Sequence, residues 1–104
     1  HFLKVLRLNL KEDYNFNEIP LLTSLEVLAI TSSSLENLDW LYKFNSLTNL
    51  FLGNIDKLSL LDFKRLLDNV GSLKEVYLKK SLNKELNKSI KDYFTEADLE
   101  FKLL

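Results

Sequence analysis

Apolar residues along the first three quarters of the chain recur with one spacing. Leu3, Leu6 and Leu8 stand as L-x-x-L-x-L, and the spacing returns at Leu25, Leu28 and Ile30 and then at Leu47, Leu50 and Leu52, each time after the same interval. A fourth copy, Leu73, Val76 and Leu78, follows after a slightly longer one. The segments between the triplets keep the same register, since Phe16, Ile19 and Leu22 precede Leu38, Leu41 and Phe44 by the shorter interval. Whole units of structure therefore repeat. Inside each triplet the last two apolar positions alternate with variable ones, the period of a short strand with one buried face. The pattern predicts parallel strands near residues 3–8, 25–30, 47–52 and 73–78, with Leu6, Leu28, Leu50 and Val76 in one core.

The connections read differently. Leu35, Leu38, Leu41, Phe44 and Leu47 recur every three residues, which suits a tight 3₁₀-like path back to the next strand. Trp40, between Leu38 and Leu41, is expected to be a partly buried residue on the outer side. The longer period before the fourth triplet leaves room for a helix at about residues 60–70. Ser59 and Asp62 have capping-box spacing, and Leu60, Phe63, Leu66, Leu67 and Val70 form one stripe. Gly71 is placed to end that helix in a left-handed conformation. Beyond residue 80, Leu82, Leu86, Ile90 and Tyr93 or Phe94 keep helical spacing, predicting a second helix at 83–94. Leu99, Phe101 and Leu103 then alternate with Glu100 and Lys102 as a last strand.

The segments FLKVLRLNL, SLEVLAITS, SLTNLFLGN and SLKEVYLKK make the chain resemble the leucine-rich repeat superfamily over nearly all of residues 2–80. The short units resemble the 22-residue class of internalins and phosphatase regulators, and the 26-residue unit resembles ribonuclease inhibitor and the repeats of F-box proteins. The resemblance implies an α/β fold. Its form would be a right-handed solenoid with a curved parallel sheet and helices or 3₁₀ turns on the outer face. It implies one domain over residues 1–104, with an irregular last unit at about 81–104 that protects the sheet edge. Members of the superfamily with short repeats commonly carry an asparagine three positions after the last leucine. The equivalent positions here are Lys11, Ser33, Ile55 and Ser81, so the chain departs from that pattern, with Asn54 one place away and the two serines able to bond the turn.

Composition narrows the chemistry. Leucine fills 26 of 104 positions, whereas glycine occurs twice, proline once, and cysteine and methionine are absent. Without cysteine there is no disulfide, thiolate metal site or cysteine nucleophile, which leads to an expected intracellular setting, cytoplasmic or nuclear. The missing methionine, and the entry of His1 and Phe2 directly into the first strand, lead to the expectation that the chain is a piece of a longer protein. No apolar run approaches the length of a membrane span, so no membrane partner is expected. His1 is the only histidine, so neither a histidine triad nor a zinc site can be built around it. Gly53 and Gly71 form no phosphate-binding loop. Neighbouring acids at Glu12 and Asp13, or Glu96 and Asp98, have the expected character of solvated or capping carboxylates. No enzymatic activity, cofactor or metal is expected.

Two surfaces are left. If the repeated leucines point inward, the residues between them point outward. One column is then Arg7, Ala29, Phe51 and Tyr77; the position two earlier gives Val5, Val27, Asn49 and Glu75, and the position two later gives Asn9, Thr31, Gly53 and Lys79. A face with Val5, Val27, Ala29, Phe51 and Tyr77 at its centre and Arg7, Asn49, Glu75 and Lys79 at its rim has the composition of a protein-binding hot spot. Another protein is the expected partner, and a structural stretch bracing other domains is the alternative. The second surface is basic. Lys79, Lys80, Lys84, Lys88 and Lys91 lie close together with Glu85 as the one acid among them, a cluster that could attract phosphate or nucleic acid. The plainer reading is the polar face of a terminal helix, because the chain as a whole carries a net charge of -1. Asn87-Lys88-Ser89 matches the glycosylation acceptor pattern but falls inside that helix.

Overall fold

A computed structural model describes residues 4–8, 24–31 and 35–104. Expectations resting on His1, Phe2, Leu3, Asn9, Lys11, Glu12, Asp13, Phe16, Ile19, Leu22 and Ser33 lie outside the described residues. The fold is α/β. Five four-residue strands, β1 (Val5–Leu8), β2 (Val27–Ile30), β3 (Asn49–Leu52), β4 (Glu75–Leu78) and β5 (Glu100–Leu103), form one sheet in the order β1-β2-β3-β4-β5. Every neighbouring pair is parallel. A 3₁₀ turn at Asp39–Lys43 lies between β2 and β3, α1 (Leu60–Asn69) between β3 and β4, and α2 (Lys84–Glu96) between β4 and β5.

Period-two alternation becomes a two-sided sheet. Leu28 and Ile30, Leu50 and Leu52, and Val76 and Leu78 are buried while their strand neighbours are half-buried. The register aligns Leu6, Leu28, Leu50, Val76 and Phe101 across all five strands. Leu28, Leu50 and Val76 belong to one buried cluster, and Leu6 packs against it half-buried. One hydrogen bond recurs at every step of the ladder: Val27 N to Lys4 O at 2.8 Å, Asn49 N to Glu26 O at 3.0 Å, Glu75 N to Thr48 O at 3.0 Å and Glu100 N to Lys74 O at 2.8 Å. The strands begin two residues later than the leucine pattern suggests. Leu25, Leu47 and Leu73 lie ahead of the ladder and are buried there.

The other side of the core comes from the connections. Leu38, Leu41 and Phe44 at the 3₁₀ turn, Phe63 and Leu66 from α1, and Ile90 and Phe94 from α2 are all essentially inaccessible. Trp40 is only 5% exposed, more deeply buried than its position suggests, because its ring meets Phe44 edge-on at 6.5 Å and its indole N–H donates to Asn37 O. Helix α1 starts where Asp62 accepts the backbone N–H of Ser59 at 2.8 Å. At its other end Gly71 has no positive φ; the helix stops at Val70, whose N–H donates to Leu66 O, so no left-handed cap is used. In the second helical stripe Leu86 is half-buried and Ile90 and Phe94 are buried, but Leu82 is 91% exposed because it precedes the first turn.

Candidate functional site

The outward side of the sheet follows from the same register. Val5, Val27, Asn49, Glu75 and Glu100 form one row, and Arg7, Ala29, Phe51, Tyr77 and Lys102 form the next. Adjacent strands lie roughly 4.8 Å apart, so each row is a continuous line of side-chain contacts. Val5 is 47% exposed and Arg7 exposed, whereas Val27, Ala29, Asn49, Phe51, Glu75 and Tyr77 are half-buried. Lys79 stands exposed past the end of β4, its N–H bonded to Leu52 O.

The middle of this face is concave. A depression of about 130 Å³ is lined by Val27, Asn49, Phe51, Glu75 and Tyr77, with Leu28 and Leu50 at its floor. Five of the nine outward residues singled out above therefore meet at one place, while Val5 and Arg7 lie on the β1 side, Ala29 beside Phe51, and Lys79 beyond the strand end.

Polar groups hold the rim in place. The Glu75 carboxylate accepts from Asn49 Nδ2 at 2.5 Å and from the Tyr77 hydroxyl at 3.4 Å. Asn49 Oδ1 in turn accepts from the Thr48 hydroxyl at 2.7 Å. A carboxylate with two donors and a phenol fixed by it give an orientated, partly desolvated polar edge beside two aromatic rings. Burial pushes the Tyr77 hydroxyl above the usual phenol range, and the carboxylates of Glu100 and Glu75 add to the effect. Tyr77 thus stays a neutral donor throughout the physiological range.

The fifth strand adds what the four-triplet pattern misses. Lys102 lies over the Tyr77 ring, its ammonium 5.7 Å from the centroid, and Glu100 follows Glu75 in the first row. The signal is present in the alternation of Glu100 and Lys102 with Leu99, Phe101 and Leu103, but a triplet with Asp98 in its first position does not announce itself as a repeat. By spacing alone Gly53 is one more outward position. Its backbone continues the ladder with a 2.7 Å bond from its N–H to Ile30 O, and a Cβ there would collide with the backbone of Thr31.

The basic cluster divides. Lys80, Lys88 and Lys91 line a groove between α2 and β5, whereas Lys79 and Lys84 are exposed outside it. Asn87 is bound on both sides of its amide, accepting from Ser81 N and donating to Ser81 O, each at 2.8 Å, so the side chain of the acceptor-like Asn87-Lys88-Ser89 serves the turn before α2. Among the described residues no group of three His, Cys, Asp or Glu side chains could hold a metal ion, and no helix is long and apolar enough to cross a membrane. Comparison with protein-family models, curated proteins and solved structures finds no match for this chain.

Proposed function

We propose that the chain is a leucine-rich repeat solenoid that acts as a non-catalytic binding module and grips another protein on its strand face. The observation that carries this reading is the depression in which Phe51 and Tyr77 meet Val27 beside the hydrogen-bonded pair of Asn49 and Glu75. Half-buried aromatics within a polar rim are the composition of binding hot spots, because a partner side chain seated there loses water on all sides while its polar atoms find prepared partners. The repeat spacing supports the solenoid reading, as does the sequential parallel sheet, in which each unit contacts its sequence neighbours.

The test uses a partner isolated with this chain from extract of the source organism, followed by affinity measurement with purified chains. Phe51→Ala and Tyr77→Ala are each expected to keep the circular dichroism spectrum and to weaken that partner by about 2 kcal/mol or more, the hot-spot threshold. Lys88→Ala with Lys91→Ala is expected to change its affinity only slightly and in a salt-dependent way. Unchanged binding by both aromatic variants would remove the strand face as the site; loss with the lysine changes would then move the site to α2, and binding kept by every variant would leave a bracing segment as the reading.

A further inference from the structure

The strand-face depression has a size and a polarity that select what can enter it. Its lining comes from β2, β3 and β4, with β1 paired on one side and β5 on the other, so described strands flank it in both directions along the sheet. At about 130 Å³ it is close to the roughly 150 Å³ that takes one benzene-sized group, so it admits a single side chain rather than a length of chain. Its walls are the Phe51 and Tyr77 rings and Val27, and its polar edge is Asn49 and Glu75.

Most hydrogen-bond donors at that edge are already spent within it. The Thr48 hydroxyl donates to Asn49 Oδ1 and Glu26 O, while Asn49 Nδ2 and the Tyr77 hydroxyl both donate to Glu75 Oε2. What is left is acceptor capacity. Glu75 Oε1 takes no hydrogen bond from a described residue, and Asn49 Oδ1 and the Tyr77 oxygen have lone pairs to spare. Negative charge is left as well. Glu75 is half-buried, yet the ion pairs among the described residues are Lys4 with Glu26 and Lys57 with Glu36. Lys102, whose ammonium stands 5.7 Å from the centroid of the Tyr77 ring, does not pair with it. The register partner of Glu75 on β5 is Glu100, and two like charges facing each other across a strand pair destabilise it, so a cation placed here relieves a repulsion.

An apolar side chain would fill the depression but strip water from a carboxylate with no counter-charge, and an acidic one would add to the repulsion. A lysine would bring its charge with all donors grouped at one point. An arginine brings a planar fork of five donors that can serve the Glu75 and Asn49 oxygens together, and its guanidinium and stem both suit aromatic rings. We infer that the depression receives an arginine side chain of the protein partner, with its guanidinium on the Glu75 carboxylate and its stem against Phe51 and Tyr77. The assignment rests on the strand-face reading and narrows it to one chemistry.

The probe is N-acetylarginine methylamide, titrated into the isotope-labelled chain and followed by amide chemical shifts. Saturable shifts are expected at Asn49, Phe51, Glu75 and Tyr77. N-acetylcitrulline methylamide, which keeps the shape without the charge, is expected to bind at least about tenfold more weakly, the worth of one charge-assisted pair. Glu75→Gln keeps an acceptor for Asn49 and should weaken the arginine probe by a similar factor with an unchanged circular dichroism spectrum. The inference is overturned if the arginine probe causes no saturable shift at these residues, if the citrulline probe or N-acetyllysine methylamide binds as tightly, or if Glu75→Gln leaves the arginine probe's affinity unchanged. With the partner of the strand-face test, loss on both Phe51→Ala and Glu75→Gln supports both readings. Loss on Phe51→Ala alone keeps the strand face and rejects the arginine, and loss on neither rejects both.

Discussion

Gly53 shows how much one position can carry. Its place in the ladder brings its α-carbon against the backbone of Thr31, so the side chain that any other residue would add has no room. Gly53→Ala is expected to cost about 1–3 kcal/mol, the range for forcing a methyl group into filled space, measured by urea unfolding. Leu50 is the opposite case. It is 2% exposed in the central strand, and Leu50→Ala is expected to cost about 2–5 kcal/mol, with a loss below about 1 kcal/mol meaning that the position is not core. Leu50 is legible from spacing alone. Gly53 is legible as an outward position, but its steric role needs the neighbouring strand.

At the scale of elements, the turn after β4 is held by a clasp to the turn after β3. Asp56 Oδ1 accepts from the Ser81 hydroxyl at 2.8 Å and from Leu82 N at 2.9 Å, and Ser81 Oγ accepts from Asn83 N at 3.0 Å. Ser81 thus bonds the turn through an aspartate of the preceding turn. The backbone N–H of Leu82, helped by the Ser81 hydroxyl, holds the Asp56 carboxyl below its ordinary value. A group whose folded pKa is depressed stabilises the fold above its unfolded pKa and ceases to do so as pH falls through the folded one. Stability of the native chain is therefore expected to decline as the pH drops below about 4, and Asp56→Asn should flatten that part of the profile in thermal melts taken across acidic pH. Helix α2 begins beside this clasp, where Asn83 Oδ1 accepts from Glu85 N and Leu86 N at 3.0 and 3.2 Å. Asn83→Ala is expected to cost about 1 kcal/mol by the loss of that cap, read from the shift in urea midpoint.

At the scale of the whole molecule, each strand pairs, among the described residues, only with its sequence neighbours, and the elements that follow β2, β3 and β4 change from a 3₁₀ turn to α1 to α2. Strands β2, β3 and β4 have a paired strand on each side, and β5 has one among the described residues. Phe101 at the β5 edge is half-buried, whereas its register equivalents Leu50 and Val76 are buried. Amide hydrogen exchange is therefore expected to be slowest in β3 and β4 and faster in β5, since local opening at an edge breaks fewer apolar contacts. Equal protection in β5 and β3 would show that the edge is covered in solution.

Spacing by itself determined the strand positions at β1 to β4, the two helices, the last strand and the identity of the outward residues, because all of these follow from a local period of side-chain direction. The apolar stripe of α1 was legible for the same reason, and so was the aspartate that reaches back to Ser59. Depth and partnership were not. Trp40 is buried by Phe44 and Asn37, Gly71 keeps an ordinary φ, Leu82 is left outside, and Lys102 reaches Tyr77 across a strand pair. Whether Phe51, Tyr77, Asn49 and Glu75 stand scattered or converge was likewise decided only in three dimensions. A period constrains which way each side chain points, but how far it is covered, and by which residue of the next unit, depends on strands that meet only once the chain has folded.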